Sequence, residues 1–226
     1  MKPGLSIVVP VLNEEAGGIA ATLQALAPMR GRGVEVIVID GGSTDATVAA
    51  ATPHADRVLP APRGRARQMN AGAAAASADT LLFLHADTRL PAHADRLVAA
   101  ALEAGATWGR FDVRIDGHAG LLKVVAALMN LRSRRTGIAT GDQAMFVGRG
   151  VFERVGGFPD QPLMEDIELS RRLRAVGPPA CVRDKAVTSG RRWEQRGVWR
   201  TIFLMWRLRW RYWRGESPQA LADAYR

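Results

Sequence analysis

The sequence predicts an α/β protein in which helices cover both faces of a mostly parallel sheet. Short apolar runs rich in β-branched residues alternate with alanine-rich segments over the first half of the chain, which is typical of repeated strand–helix–strand units. Three of these runs are followed by polar side chains, at Asn13, Asp40 and Asp87. Ligands of open α/β sheets bind at the carboxyl ends of the strands, so we expect a binding site at that edge.

The first predicted strand, at residues 5–11, is apolar and β-branched. Pro10 cannot donate a hydrogen bond to a neighbouring strand, so we expect the strand to end there. An alanine-rich helix that reaches about residue 27 follows. The polar turn between them suits ligand contact as well as helix capping; ligand contact is favoured for Glu14 and capping for Glu15.

The second predicted strand, at residues 34–40, ends in Asp40 and a Gly-Gly-Ser-Thr-Asp turn at 41–45. Glycine adopts backbone angles that other residues avoid, and Ser43 or Thr44 can cap the next helix. The turn lacks the Lys-Ser/Thr pair of a P-loop and the Gly-x-Gly-x-x-Gly pattern of dinucleotide-binding proteins. Asp40 can instead accept hydrogen bonds from a base or from ribose hydroxyls.

A basic segment follows a short third strand at residues 57–59. It places Arg63, Arg65 and Arg67 ahead of another alanine-rich helix. Three arginines near a helix N-terminus can bind an anion, and a solvated basic surface accounts for them equally well.

The next strand contains four consecutive apolar residues, 81–84, and runs into His85, Ala86 and Asp87. Such a run is typical of a buried strand. A carboxylate at its end suits Mg²⁺, which takes one or two protein carboxylates and fills its shell with water and phosphate oxygens. The alternative is that Asp87 caps the following helix or forms a turn with Thr88.

The second half of the chain is less regular. We expect a helix at 91–104, a strand at 107–115, a helix at 120–131 that is apolar nearly all round and therefore buried, and a strand at 144–147. Glu165 and Asp166 then open a further helix. Acids in a first turn are favoured by the helix dipole, but a carboxylate positioned in this way can also serve as a general base.

The composition favours an anionic or phosphate-rich partner, because 31 basic residues against 22 acidic ones give a formal net charge of +9. The single cysteine, Cys181, excludes an internal disulfide and a cysteine-based zinc cluster. The N-terminus lacks the pattern of a secretory signal, and no run approaches the roughly 20 apolar residues that span a bilayer. We therefore expect a cytoplasmic protein, with attachment to the inner face of the membrane left open.

Together these residues resemble the family 2 glycosyltransferases of the GT-A fold over residues 5–173. The matching segments lie at residues 6–15, 39–45, 70–72, 85–87, 156–158 and 165–166. The motif at 83–88 and the basic, aromatic C-terminus resemble a bacterial branch assigned to arsenosugar biosynthesis.

The resemblance implies transfer of a sugar, with inversion, from a UDP- or GDP-sugar donor. It makes Asp166 the general base, with Glu165 beside it, and Asp87 the ligand of a Mg²⁺ or Mn²⁺ ion on the diphosphate. His85 stands where the family usually has an aspartate, and is implied to bind the metal or the ribose. The residues implied to contact the nucleotide sugar are Pro10, Asn13, Glu14, Asp40, Gly41, Asp45, Arg67, Asn70, His85, Ala86 and Arg192.

One departure from the family concerns the diphosphate. Many relatives carry a histidine after the catalytic helix, whereas the last histidine here is His118. Arg192 lies in the comparable region and is expected to meet the diphosphate instead.

We expect a glycosyltransferase domain at residues 1–195 and a basic, aromatic helical extension at 196–226. Residues 198–214 place one aromatic stripe beside a row of arginines, formed by Trp199, Phe203, Trp206, Trp210 and Trp213 and by Arg196, Arg200, Arg207, Arg211 and Arg214. Such a helix suits an anionic membrane surface. The alternatives are that the stripe packs on the domain, packs on a second subunit of a homodimer, or binds the acceptor. A lone helix of this kind argues against nucleic acid as a partner.

Two other functions stay open at this stage. One is a catalytically silent protein that binds a nucleotide or a membrane, suggested by His85 in the metal motif. The other is a sugar nucleotidyltransferase, which would need a glycine-rich loop with Arg and Lys where Asn13 and Glu14 stand. The acceptor of a transferase, a small molecule or a lipid, is not identified.

Overall fold

A computed structural model describes residues 3–225 of the chain. Its strands are β1 (Ser6–Val11), β2 (Glu35–Asp40), β3 (Arg57–Pro60), β4 (Thr80–Phe83), β5 (Thr88–Arg89), β6 (Trp108–Asp116), β7 (Phe146–Gly148) and β8 (Ala180–Ser189). They form one sheet in the order β3-β2-β1-β4-β7-β6-β8-β5. The four strands from β3 to β4 are parallel, whereas β7 is antiparallel to both of its neighbours.

The helices lie between these strands and after the last of them. They are α1 (Ile19–Gln24), α2 (Ala27–Arg30), α3 (Thr47–Ala51), α4 (Arg65–Ala75), α5 (Ala94–Glu103), α6 (Leu121–Thr136), α7 (Arg149–Arg154), α8 (Glu165–Arg174), α9 (Arg191–Arg196), α10 (Val198–Trp213) and α11 (Pro218–Tyr225). Single 3-10 turns occur at Thr52–His54 and Gly141–Gln143. The predicted α/β class, with a mostly parallel sheet between helices, is confirmed.

Helices cover both faces of the sheet. Successive side chains of a strand point to opposite faces, so each strand contributes to a core on either side. Ile7 and Val9 of β1 join a core that includes the helices α1 and α5, whereas Val8 joins a core that includes α4 and α8. Close packing of α4 on β1 requires Gly72, since a Cβ there would lie 2.2 Å from Val8 Cγ1. The near-continuous apolar runs of the sequence are therefore explained by two-sided burial.

The prediction that the first strand ends at Pro10 is wrong. β1 continues to Val11, and Pro10 pairs with Ile39 of β2. The carbonyl of Val8 accepts a hydrogen bond from the Leu84 N–H, so the polar groups of even-numbered β1 residues face β4. The pairing of β1 with β4 extends only to Val8. Proline has no backbone N–H, but at Pro10 that group would face β4 beyond the end of the pairing, so its absence breaks no hydrogen bond between the strands. The two strands part here and open the carboxyl edge of the sheet.

The prediction of a helix buried all round at residues 120–131 is also wrong. α6 packs one face on β6, through Leu122, Val125 and Ala126. Its other face leaves Val124, Leu128 and Leu131 at the surface, with 43–55% of each side chain exposed. Because α6 has apolar residues on both faces, its composition could not show which face packs on β6 and which face is exposed.

The C-terminal helices pack over the start of α8. Leu208 of α10 and Leu221 of α11 are buried with Met164, the residue that precedes α8. The alternative that the aromatic stripe packs on the domain is wrong: its five members are 58–80% exposed on the opposite face of α10. Within residues 3–225, no helix combines the length and the hydropathy that crossing a bilayer requires.

Candidate active site

A cleft of about 540 Å³ opens at the carboxyl edge of the sheet, where β1 and β4 separate. Its walls are the loops after these strands, the starts of α4, α8 and α9, and the inner face of α10. Eight of the residues expected from the sequence line it: Pro10, Glu14, His85, Ala86, Asp87, Glu165, Asp166 and Arg192. The other six, Asn13, Asp40, Gly41, Asp45, Arg67 and Asn70, are not among the lining residues.

Three of those six, Asn13, Gly41 and Asp45, join the end of β1 and its loop to the loop after β2. Asp40 is buried and accepts hydrogen bonds from the N–H groups of Gly42 and Ser43, at 3.0 and 3.1 Å. The side-chain carbonyl of Asn13 accepts the Thr44 N–H at 2.9 Å. Hydrogen bonding from the Thr47 hydroxyl lowers the pKa of Asp45. The contacts of Asn13 and Asp45 fix the two loops relative to each other.

The other two residues, Arg67 and Asn70, lie on α4 but make their contacts outside the cleft. Arg67 Nε donates to exposed Asp160 at 2.8 Å. Asn70 makes two hydrogen bonds to the backbone of Phe158, as acceptor at 3.0 Å and donor at 2.8 Å, and so fixes that loop.

Two other α4 residues face the cleft; one was among the arginines considered for an anion site, and the other was not selected from the sequence. These are Arg65 and Gln68, which are three residues apart and therefore share one helix face. Gln68 Nε2 donates to the carbonyls of Val11 and Ile39, both at 2.8 Å, and so links β1 to β2 beneath the cleft. The sequence signal that a helical-face analysis would have used is the i, i+3 spacing, which places both polar side chains on one helix face.

The acid pair at the start of α8 is divided between two environments. Glu165 is buried and accepts a hydrogen bond from Arg65 Nη1 at 3.3 Å. Asp166 lines the cleft and accepts the Gly141 N–H at 2.9 Å and the Ile167 N–H at 2.7 Å. Burial, together with the charge of Glu165, raises the pKa of Asp166 to about 6. A carboxyl with this pKa is well suited to accept a proton near neutral pH.

His85 faces Asp142, another cleft residue that the sequence interpretation did not select. His85 Nδ1 lies 3.4 Å from Asp142 Oδ1. Burial acts to raise the pKa of Asp142, but the hydrogen bond and charge of His85 outweigh it and hold that pKa below its usual value. The imidazole also packs tightly on Gly141, where a Cβ would lie 2.2 Å from His85 Nε2.

Asp87 lies at the junction between β4 and β5 and is held through the backbone. Its carbonyl accepts the Ser189 N–H at 3.1 Å, and Thr88 bonds to Thr188 across the β5–β8 pair. Burial and the neighbouring Asp87 carboxylate raise the pKa of Glu14. Two acids that repel each other in one cleft create a negative potential that suits a cation.

A second feature of the cleft is positive charge. Arg65 and Arg192 both line the cleft. Burial, together with the charge of Arg65, lowers the pKa of Arg192. Arg192 also stacks over the ring of Tyr225, at 5.0 Å from its centroid. Two arginines that line one cleft can bind an anion with several oxygens, such as a diphosphate.

The backbone is strained at the edges of the cleft. The positive-φ residues other than glycine in the described part of the chain are Asn13, Ala144 and Met164, at 54°, 46° and 65°. Asn13 follows β1, Ala144 ends the Gly141–Gln143 turn, and Met164 precedes the acid pair. Strain of this kind clusters at functional sites, where the surrounding packing maintains it.

Comparisons with known proteins point to one family. The model of the family "Glycosyl transferase family 2" matches residues 6–148. An uncharacterized glycosyltransferase of Mycobacterium tuberculosis, Rv1514c, is 32% identical over 196 residues, which cover 80% of this chain and 72% of that protein. A probable glycosyltransferase of Bacillus subtilis, YdaM, is 27% identical over 95% of this chain and 56% of its own length.

Solved structures share the fold at lower identity. Staphylococcus aureus TarS in complex with UDP superposes with a TM-score of 0.67 at 20% identity, covering 84% of this chain and 60% of that one. The mannosyltransferase PcManGT of Pyrobaculum calidifontis, solved with GDP-Man and Mn²⁺, gives 0.65 at 23% identity, covering 92% and 61%. The chain thus spans about three-fifths of these solved chains. The likeness confirms the GT-A fold that the sequence resemblance implied.

Proposed function

This chain belongs to glycosyl transferase family 2 and is a glycosyltransferase, and we propose that it transfers a sugar from a nucleotide-diphosphate sugar to an acceptor hydroxyl. Asp166 is the general base of the proposed reaction, and the anomeric carbon is inverted. The observation that carries the proposal is the position of Asp166 in the cleft with a pKa raised to about 6, while its neighbour Glu165 is buried against Arg65.

The proposed donor is a UDP- or GDP-sugar. TarS was solved with UDP and with UDP-GlcNAc, and PcManGT with GDP-Man. In this chain Pro10 and Glu14 line the side of the cleft that would hold the nucleoside. Asp40, Gly41, Asn13 and Asp45 would shape its rim through the loop contacts described above. The facing arginines, Arg65 and Arg192, would contact the diphosphate.

We propose that Asp87, with the carboxylate of Glu14 close by, would hold a Mg²⁺ or Mn²⁺ ion. Within residues 3–225, no cluster of three or more His, Cys, Asp or Glu side chains is arranged to bind a metal. One or two carboxylates are nevertheless sufficient for an ion whose other ligands are phosphate oxygens and water. The bound ion would neutralise charge on the leaving diphosphate. His85 would then act as a second ligand or as a contact to ribose.

The proposed mechanism is a single in-line displacement. The acceptor hydroxyl gives its proton to the Asp166 carboxylate as its oxygen bonds to the anomeric carbon. The bond from that carbon to the diphosphate oxygen breaks on the opposite face, and its electron pair leaves with the diphosphate. Arg65 and Arg192 stabilise the negative charge that develops there. The Gly141 N–H, which donates to Asp166, keeps the carboxylate aimed into the cleft.

The acceptor would enter between α8 and the C-terminal helices. That side of the cleft is lined by Leu163, Met205, Leu208 and Tyr225, together with Arg209. An apolar wall with one cation suits a small molecule or a lipid that carries an apolar part and a polar head.

The test is the release of nucleoside diphosphate from a panel of UDP- and GDP-sugars, with water or added alcohols as acceptor. We expect Asp166→Asn to lower turnover by about 100-fold or more, the usual contribution of a positioned general base. Glu168→Gln is the matched control, because Glu168 lies on the same helix and pairs with Arg171 and Arg172 outside the cleft. Equal turnover in Asp166→Asn and wild type would refute the assignment of the base.

A further inference from the structure

α10 presents an unusually apolar outer face. The aromatic stripe defined above, Trp199 to Trp213, recurs at intervals of three and four residues and is 58–80% exposed. The opposite face of the helix packs on the protein through Thr201, Leu204 and Leu208. Contiguous exposed aromatics of this extent mark an interaction surface in a folded protein.

A second apolar row lies on α6, the helix that packs beside α10. Val125 and Met129 of α6 share a hydrophobic cluster with Val198 and Ile202 of α10. The outer side of α6 leaves Val124, Leu128 and Leu131 exposed. We call these three residues and the aromatic stripe the α6–α10 surface.

The charged residues within the two helices of this surface are all basic. Neither α6 nor α10 contains Asp or Glu. The exposed arginines Arg200, Arg207 and Arg214 fall beside the aromatic stripe, and Lys123 and Arg135 are exposed on α6. The complementary partner is therefore anionic and has an apolar layer next to its charges.

We propose that the α6–α10 surface docks on an anionic lipid bilayer. The 16 residues of α10 extend over about 24 Å and would lie in the plane of the interface, with Trp and Phe at the boundary of headgroups and acyl chains. Arginines beside them would meet anionic headgroups, which are abundant in the cytoplasmic leaflet. The inner face of α10 lines the cleft, so docking would bring the cleft within about one helix diameter, roughly 10 Å, of the lipid.

A second copy of the chain fits this surface less well. A twofold interface pairs a patch with itself, so it would bring the arginines of two copies together with no acidic residue of α6 or α10 to offset them. Charge complementarity thus favours lipid over a homodimer.

The experiment measures binding of the full chain to vesicles of phosphatidylcholine alone or with about 30% phosphatidylglycerol. Co-sedimentation gives the partition coefficient, and tryptophan emission reports burial of the stripe, which holds four of the six tryptophans. We expect binding and a blue shift with the anionic vesicles only. The assay uses neither donor nor metal, so its result is independent of the proposed transfer reaction.

Two triple variants separate the apolar and charged contributions. Phe203→Ser/Trp206→Ser/Trp210→Ser and Arg200→Gln/Arg207→Gln/Arg214→Gln should each weaken binding by at least about tenfold. Arg96→Gln/Arg154→Gln/Arg183→Gln is the matched control, because it removes the same charge from exposed positions on other elements, and it should bind as wild type does. All replaced side chains are exposed, so melting temperatures should be unchanged; if the aromatic variant fails to fold, the two arginine variants decide.

Three results would overturn the proposal. The first is no binding to anionic vesicles at low ionic strength. The second is equal loss of binding in both arginine variants, which would show that total charge is sufficient. The third is a wild-type dimer that the aromatic variant converts to a monomer, which would show that a second copy covers the stripe.

Discussion

At the scale of single residues, different surroundings distinguish Asp166 from the acid beside it. Glu165 and Asp166 are adjacent in sequence, but only Glu165 is fully enclosed, with Arg65 as its partner. Asp166 receives two backbone N–H groups and still has a pKa raised to about 6, because burial and the neighbouring charge outweigh those hydrogen bonds. A single helix start thus supplies one carboxylate that positions an arginine and another that can accept a proton.

The raised pKa predicts how turnover depends on pH. Only the ionised carboxylate can accept the acceptor's proton, and a raised pKa means that this form is lost as the pH falls through about 6. We expect turnover of the best donor to fall about tenfold per pH unit below that point. Glu168→Gln should keep the same profile. A midpoint near the ordinary aspartate value of about 4 would contradict the environment described for Asp166.

Gly141 is required at its position by the contact with His85. The alanine Cβ of Gly141→Ala would lie 2.2 Å from both Cε1 and Nε2 of the imidazole, so the ring or the turn must move. We expect a loss of about 1–3 kcal/mol in the free energy of unfolding, as for other overpacked sites, together with weaker donor binding. Gly150→Ala on α7 is the control, because its added Cβ would meet no atom within 4 Å and alanine favours a helix. Thermal unfolding of both variants checks the contact, and equal stability would contradict it.

At the scale of elements, α4 shows why the sequence located the cleft but not all of the residues that line it. Apolar runs and the polar residues after them predicted β1, β2 and β4 and the positions of Asp40 and Asp87. The side of α4 that meets the cleft depends on packing against β1 and β2, which arginines at 63, 65 and 67 do not reveal. Asp142 was missed for a similar reason, since its partner His85 lies on a distant segment.

Other features could not be predicted from the local sequence, because they depend on how distant strands pair. β8 carries exposed charges at Arg183, Asp184 and Lys185, next to an irregularity in its pairing with β6, so its sequence lacks a simple strand pattern. Pro10 was expected to end β1, but the strand continues because β4 has already parted from it.

The α4 arginines give a direct test of the cleft. Arg65→Gln should weaken binding of UDP or GDP by about tenfold, the effect of losing one charged hydrogen bond, and should lower stability because Glu165 is left buried without its partner. Adding Glu165→Gln should restore stability but not affinity. Arg67→Gln is the matched control, since Arg67 pairs with Asp160 on the exposed side. An equal loss of affinity in Arg67→Gln would contradict the geometry of α4.

At the scale of the whole molecule, the cleft is built from both ends of the chain. The parallel half of the sheet provides the loops after β1 and β4, whereas α8 and α9 provide the acid pair and Arg192. α10 and α11 close one side, through Leu208 and Tyr225. The same C-terminal segment therefore limits the side of the cleft proposed for the acceptor and carries the aromatic stripe on its outer face.

The most direct measurement of the central claim is thermal unfolding with UDP or GDP, with and without Mn²⁺, on wild type and Asp87→Ala. A nucleotide at 100 times its Kd adds about 2.7 kcal/mol to the free energy of unfolding, which for a chain of this size raises the melting temperature by roughly 5–10 °C. The proposed donor site predicts a rise that depends on Mn²⁺ in wild type and disappears in Asp87→Ala. No rise with either nucleotide would contradict the proposed donor site.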